Sequence, residues 1–251
     1  MLQIISNQQK IVKKNGGFDI EILFPGKGMG SEDSGIGTIG RIDQATVTPS
    51  TLVPMHPHQD DEILTYLRSG VVEHKDTEGN IEIITNKRLM MMNAGSKFQH
   101  EELVLPEGGV LTALQIFIRP EIGGMKPQVQ FYAFPDVISL NDWRAVAGMG
   151  DDFPLQIRSN TWIYDMRLEE GKQQSLPVLP LSDATCLIYL LDGVLTVNEN
   201  INIQKGESLV VEDEKILLKA AEDCNIVLFV TDRKATTFKE GMYSGNIKKT
   251  K

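Results

Sequence analysis

The chain has 251 residues, 41% of them hydrophobic and 24% charged, and its formal net charge is -9 at pH 7. This length fits two domains of about 120 residues or one large all-β domain, and either can bury a substantial core. The negative charge disfavours a general nucleic-acid or anionic-membrane surface, because phosphate binding needs clustered Lys and Arg. Only residues 248–251 are locally basic, and we interpret them as a solvated end.

The first 15 residues lack the apolar stretch and the small-residue cleavage site of a signal peptide. No segment reaches the length of about 18 apolar residues that a transmembrane helix needs. Cys186 and Cys224 both lie in apolar contexts, which predicts buried reduced thiols rather than a disulfide framework. We therefore expect a cytoplasmic protein.

The first half of the chain reads as short strands separated by turns, which is typical of a sandwich or barrel rather than of alternating strands and helices. The predicted strands cover residues 63–67, 71–74, 81–84, 89–92 and 110–118. Met90, Met91 and Met92 fall in one of these strands. Alternate residues of a strand face opposite ways, so we interpret the three methionines as core packing rather than as a soft-metal site.

The second half repeats the style of the first. A stretch rich in proline and glycine at residues 119–129 predicts a boundary, and strands are predicted at 160–168 and 206–211. Residues 186–197 have the same layout as residues 62–73, in which a polar residue and a glycine separate two strands. We therefore predict two copies of one β-barrel module, with domains at 1–119 and 120–251.

Histidine is scarce, with four in the chain, yet three of the four belong to one motif. His56 and His58 stand at i and i+2 and so share one face of a strand, as do His100 and Glu102. If the two strands lie side by side, three imidazoles and one carboxylate converge on a point suited to a divalent first-row transition metal. Such a set leaves positions open for water, oxygen or substrate, which indicates a catalytic or redox metal rather than a structural one. The second half has no histidine and is predicted to be a scaffold without metal ligands.

Several short motifs accompany these histidines. They are His56-Pro57-His58 with Glu62, Thr65-Tyr66, Gly70, Glu73-His74-Lys75-Asp76, Gly79-Asn80, and Ala94-Gly95-Ser96 ahead of His100 and Glu102. This set resembles the pirin family, whose members are all-β bicupins with two stacked cupin-type β-barrel domains. The resemblance implies a single metal held by His56, His58, His100 and Glu102. It implies iron as the metal and a second cupin without metal, while the ligand set itself would also suit nickel, copper, manganese or zinc.

The chain departs from the pirin pattern around the ligands. Gln59-Asp60-Asp61 stands where the family commonly has Arg-Gly-aromatic, and Lys97 and Gln99 replace small or apolar residues beside the third histidine. We interpret Asp60 and Asp61 as a solvated loop; at a cavity mouth they would instead repel anionic substrates. These changes alter the rim of the pocket and leave the ligands in place.

Two further residues near the motif receive roles from the resemblance. His74 is expected to make a structural hydrogen bond in its hairpin rather than to bind metal. Glu62 has the spacing of the carboxylate ligand of the wider cupin superfamily. We expect it to support the metal ligands from behind or to act as a general base, and whether it also ligates stays open.

The resemblance implies a quercetin 2,3-dioxygenase-like oxygenase that acts on a flavonol or a related enol, with Glu102 or Glu62 as the base. One alternative is a regulatory protein that binds a protein partner and uses the metal as a redox or conformational switch. The other is a metal-free bicupin scaffold. Neither nucleic acid nor a membrane is an expected partner.

Overall fold

The structure is a computed structural model, and it describes residues 1–247. The basic end at 248–251, interpreted above as solvated, lies outside the described residues. The helical elements of the described chain are short: α1 (Pro25–Gly28) and two 3-10 turns at Asn7–Gln9 and Pro106–Gly108. No helix in residues 1–247 has the length and apolar character to cross a membrane.

The other regular elements of the described chain are β-strands. In chain order they are β1 (Leu2–Ile5), β2 (Ile11–Asn15), β3 (Phe18–Leu23), β4 (Ile39–Val47), β5 (Leu52–His58), β6 (Glu62–Ser69), β7 (Val71–Asp76), β8 (Ile81–Thr85), β9 (Arg88–Asn93), β10 (Phe98–Val104), β11 (Leu111–Ile118), β12 (Gln128–Ala133), β13 (Arg144–Gly148), β14 (Leu155–Gln156), β15 (Thr161–Leu168), β16 (Gln173–Ser175), β17 (Thr185–Asp192), β18 (Val194–Val197), β19 (Ile201–Gln204), β20 (Ser208–Val211), β21 (Leu217–Ala220) and β22 (Cys224–Thr231).

These strands form two barrels, each built from a seven-stranded and a four-stranded sheet. The N-terminal barrel combines the order β12-β9-β6-β11-β4-β3-β2 with β5-β10-β7-β8. The C-terminal barrel combines β1-β20-β17-β22-β15-β13-β14 with β16-β21-β18-β19. In each barrel, one hydrophobic cluster contains side chains from both sheets. The predicted all-β bicupin fold is confirmed.

The two halves exchange one strand each. Strand β12 extends the N-terminal sheet by pairing with β9, and β1 extends the C-terminal sheet by pairing with β20. Strand pairing therefore crosses the predicted boundary between residues 119 and 120. The division into domains at that point stays a prediction.

The two seven-stranded sheets pack face to face between the barrels, so central strands such as β6 and β17 are buried on both faces. On β6, Leu64 and Tyr66 face the other half of the chain, whereas Ile63 and Leu67 face the interior of the N-terminal barrel. The methionines follow the same alternation, because Met91 packs between the halves while Met90 and Met92 pack inside the barrel. Their predicted role in the core is confirmed.

The interior of the C-terminal barrel is filled with apolar side chains, among them Leu195, Ile203 and Leu218, all with 0% exposure. Strands β16 and β21, which take the places of β5 and β10, contain no histidine. Cys186 and Cys224 are buried and unpaired, as predicted. Burial raises the pKa of Cys186 to about 12 and that of Cys224 to about 11, so both remain thiols at neutral pH.

Candidate metal centre

The histidine motifs lie on two paired strands of the small N-terminal sheet. Strands β5 and β10 are antiparallel neighbours, with His56 opposite His100 and His58 opposite Phe98. Strand β5 is the edge strand of its sheet, which explains how it contains Pro54 and Pro57, since proline cannot donate to a second neighbour. The pairing brings His56 and His58 on one strand next to His100 on the other.

Three imidazoles meet at this point. One ring nitrogen from each of His56, His58 and His100 lies within 4.8 Å of the other two, and the ring centroids are 4.4, 4.9 and 5.0 Å apart. Nε2 of His58 and Nε2 of His100 are 3.0 Å apart. Two nitrogens bound at right angles to one metal at about 2.1 Å would also be about 3.0 Å apart. The donors therefore fit a first-row transition metal.

Two of the three imidazoles, those of His58 and His100, are held in the neutral form that a metal requires. Burial, helped by the neighbouring His56, lowers the pKa of His58 to about 3. Burial and the surrounding histidines also lower the pKa of His100. Both side chains therefore keep a free lone pair at neutral pH.

Glu102 is placed somewhat apart from this trio. A β-bulge between His100 and Glu102 sets Glu102 opposite Val53. Its Oε1 lies 3.8 Å from Nδ1 of His100 and belongs to a second group of possible ligands, formed with His74 and His100. This oxygen is buried without a hydrogen-bond partner, and burial raises the pKa of Glu102 to about 7. An orphaned carboxylate oxygen beside the imidazoles of His74 and His100 is suited to a cation, and ligation by Glu102 stays a prediction.

A hydrogen-bond chain stands behind His100. Oδ2 of Asp76 lies 2.8 Å from Nε2 of His74, and Nδ1 of His74 lies 3.4 Å from Nδ1 of His100. Because a carboxylate only accepts, Nε2 of His74 donates to Asp76, and Nδ1 of neutral His74 accepts from Nδ1 of His100. The lone pair of His100 is then on Nε2, which faces His58. We call Asp76, His74 and His100 the Asp76 relay.

Comparisons with known proteins agree with this architecture. Residues 29–118 match the family model described as Pirin, and residues 145–230 match the model of the quercetinase C-terminal cupin domain. PA1210 of Pseudomonas aeruginosa is 30% identical over 180 residues, which cover 70% of this chain and 75% of that protein. The chain belongs to the pirin family.

Other pirins and related proteins extend the comparison. The quercetin 2,3-dioxygenase of Escherichia coli K12 is 28% identical over 175 residues, 69% of this chain and 74% of that protein. The crystal structure of YhhW from Escherichia coli superimposes with a TM-score of 0.80 at 24% identity, covering 92% of this pirin and 98% of YhhW. A second structure shows the bacterial pirin YhhW in complex with nickel(II), with the same TM-score at 23% identity, covering 92% of this pirin and 99% of that chain. These structural matches show the shared fold.

Glu62, the other carboxylate singled out from the sequence, faces away from the imidazoles. It lies on the side of β6 that carries Leu64 and Tyr66, opposite the side whose Thr65 lines the barrel cavity. Its carboxylate accepts from the backbone and side chain of Arg158, with the Nε bond at 2.8 Å, and from Asn93. Its side chain therefore stabilises the contact between the halves, and the geometry does not support its predicted role as base.

The interpretation of Asp60 and Asp61 as a solvated loop is wrong, because both residues are buried. Oδ1 of Asp60 accepts from the backbone of Gly124 at 2.6 Å, and Asp61 accepts from the backbone amides of Tyr243 and Ser244. Buried carboxylates need such partners, and both find them in segments far away in sequence.

Sequence reasoning missed Tyr243. The chain returns from the C-terminal barrel after β22 and places the ring of Tyr243 5.2 Å from the rings of His58 and Phe117. Asp61 fixes the backbone of this segment and lies 4.0 Å from Nδ1 of His58, an atom without a hydrogen-bond partner. A tyrosine 185 residues from His58 has no local signal that could reveal this contact. His74 does form the predicted hydrogen bond, with Asp76, and it also reaches His100.

Proposed function

We propose that this pirin is a metal-dependent oxygenase of the quercetin 2,3-dioxygenase type that acts on a flavonol or a related enol. The observation that carries the proposal is the cluster of His56, His58 and His100, of which His56 lines an apolar cavity in the N-terminal barrel. The relatives support it, because a protein named quercetin 2,3-dioxygenase aligns with most of this chain. Nickel bound to YhhW supports a metal in this fold.

We assign one divalent transition metal to His56, His58, His100 and Glu102. Iron is the metal that the pirin resemblance implies, and nickel, copper, manganese and zinc also suit imidazole and carboxylate donors. When bound, such a metal would lower the pKa of a substrate hydroxyl and fix the enol edge of the substrate.

The side chains of this pirin divide the remaining work. The three imidazoles would hold the metal, and the Asp76 relay keeps the lone pair of His100 on Nε2. Glu102 takes the hydroxyl proton, because its buried Oε1 has no other partner and the residue lines the cavity. The apolar walls exclude water from the reacting edge.

The proposal is tested with the full chain after chelation and reconstitution with each metal in turn. Loss of the near-ultraviolet band of quercetin is followed together with oxygen uptake. We expect turnover with at least one metal, its loss in His58→Ala and in Glu102→Gln, and its retention in Glu101→Gln. Glu101 is a matched control, since it adjoins Glu102 but its carboxylate lies 3.9 Å from Lys75 on the sheet surface.

Two results would count against an oxygenase. Absence of turnover with every metal, despite about one metal bound per chain, would contradict catalysis on flavonols. Metal-dependent association with a protein partner in the absence of turnover would favour the regulatory alternative.

A further inference from the structure

The cavity of the N-terminal barrel lies between the two sheets, with His56 and Glu102 in its wall. The rest of the wall is mainly apolar, and Ala113 and Leu111 of β11 form part of it. Its volume is about 100 Å³. Pockets that bury a drug-sized ligand usually measure about 300–1,000 Å³. A three-ring flavonol therefore exceeds this space, whereas a single small ring or a short branched chain fits it.

The wall also contains an unused polar group. Thr65 lines the cavity, is 5% exposed, and its Oγ1 is buried without a hydrogen-bond partner. Gln115 stands opposite Thr65 in the register of β6 and β11 and lines the same cavity. A buried hydroxyl without a partner costs about 1–3 kcal/mol, so a ligand with a polar atom at this position is favoured over a wholly apolar one.

We propose that the cavity binds a single-ring or short-chain α-hydroxyketone, with its oxygen pair toward His56 and Glu102, its apolar body along β11, and a polar atom at Thr65. This inference rests on the proposed function, because the oxygen pair is the group that the metal would hold. It narrows the substrate from flavonols to small enolisable hydroxyketones. Thr65 is then the residue that recognises the ligand beyond the metal.

The experiment uses the metal-loaded full chain and two probes, maltol and quercetin. Maltol contains the 3-hydroxy-4-oxo edge of a flavonol on a single ring, so the two probes differ in size and share the chelating edge. Binding is measured by titration calorimetry, and metal per chain is measured on the same samples. We expect maltol to bind at least about tenfold more tightly than quercetin.

Three variants separate size from polarity. Thr65→Val removes the hydroxyl at nearly constant volume and should weaken maltol binding about tenfold, the equivalent of one lost hydrogen bond. Ala113→Leu fills the cavity and should abolish maltol binding. Thr46→Val is the matched control, because Thr46 is exposed on the opposite face of β4 from Ala45, which lines the cavity. All three variants should retain metal and a wild-type circular dichroism spectrum.

The outcomes distinguish this inference from the proposed function. Quercetin binding as tight as maltol binding, or no effect of Ala113→Leu, would overturn the small-ligand inference and leave the oxygenase proposal intact. An unchanged affinity in Thr65→Val would remove Thr65 from ligand recognition and overturn its assigned role. A chain that takes up no metal would overturn the proposed function, and this inference with it.

Discussion

The Asp76 relay predicts that a carboxylate outside the ligand set controls metal affinity. In Asp76→Asn an amide replaces the carboxylate and can donate to Nε2 of His74. His74 would then carry its proton on Nδ1, and His100 would have to accept there, which moves the proton of His100 to Nε2. This is the nitrogen that faces His58 at 3.0 Å. The variant therefore favours the tautomer of His100 that cannot bind metal.

The magnitude follows from the hydrogen bonds that are lost. The bond between Asp76 and His74 is 2.8 Å long and both side chains are 0% exposed, so it is a buried, charge-assisted bond. Loss of a partner that orients a ligand typically weakens metal binding by about 10–100-fold, or about 1.4–2.7 kcal/mol. We expect about 30-fold, measured by competition for nickel or zinc against a chromophoric chelator.

A companion variant, His74→Phe, makes the measurement decisive. Asp76 also anchors its turn by accepting from Glu78 and Asn80, so His74→Phe tests the relay with that turn intact. Its ring would enter an aromatic site, since the centroids of Phe98 and Phe131 are 6.5 and 6.1 Å from that of His74. His74→Phe should weaken metal binding as much as Asp76→Asn does. A folded His74→Phe protein with wild-type affinity would refute the relay.

The chelator assay also needs a charge control. Glu82 stands opposite His74 in the register of β7 and β8, and its carboxylate pairs with Arg88 at 2.8 Å near the surface. Glu82→Gln removes one negative charge that acts on His74 from the same hairpin, and it leaves the hydrogen bonds of the relay in place. It should leave metal affinity within about twofold of wild type, since surface ion pairs contribute little.

Three further predictions concern stability and thiol reactivity. Glu62→Gln breaks a buried ion pair with Arg158 and should lower the free energy of unfolding, measured in urea, by about 3 kcal/mol. The metal content per chain should stay at the wild-type value. A loss of metal would contradict the position of Glu62 outside the metal centre. Burial raises the pKa of Asp33, but the hydrogen bonds from Arg119 and other donors outweigh it and lower the pKa. Wild type should therefore have a higher free energy of unfolding than Asp33→Asn, with the full difference above about pH 4 and a shrinking difference as pH falls below about 4. An undiminished difference in the free energy of unfolding at about pH 2 would contradict this prediction. Cys186 and Cys224 should react with a disulfide reagent only after unfolding, and rapid labelling of the native chain would disprove their burial.

Much of the fold and the main part of the site could be predicted from local spacing. Residues two apart on a strand share a face, and this rule alone grouped His56 with His58 and assigned Met90 and Met92 to one side. The absence of histidine after His100 distinguished the N-terminal half, which has candidate metal ligands, from the C-terminal half, which has no histidine. Each of these inferences depends on residues that are neighbours in the chain or on a simple count.

Other features depend on contacts that no local pattern contains. The two-residue rule puts Glu62 and Thr65 on opposite faces of β6, but only the packing of the sheets shows which face meets the cavity. A bulge changes the register after His100, so Glu102 is displaced from the position that regular alternation would give it. Asp61 is buried because the backbone near Tyr243 covers it, and that segment is about 180 residues away.

The same barrel architecture has two different interiors in this pirin, and the difference favours the N-terminal barrel as the position of a ligand site. In the C-terminal barrel, large apolar side chains such as Leu195, Ile203 and Leu218 are fully buried between the sheets. In the N-terminal barrel, small side chains such as Ala45 and Ala113 leave a cavity, and buried polar atoms of Thr65 and Glu102 lack partners. Both features lower stability, since cavities and unpaired polar groups each cost free energy. We expect a ligand to offset these costs, and a cation for the imidazoles together with a polar atom for Thr65 would do so.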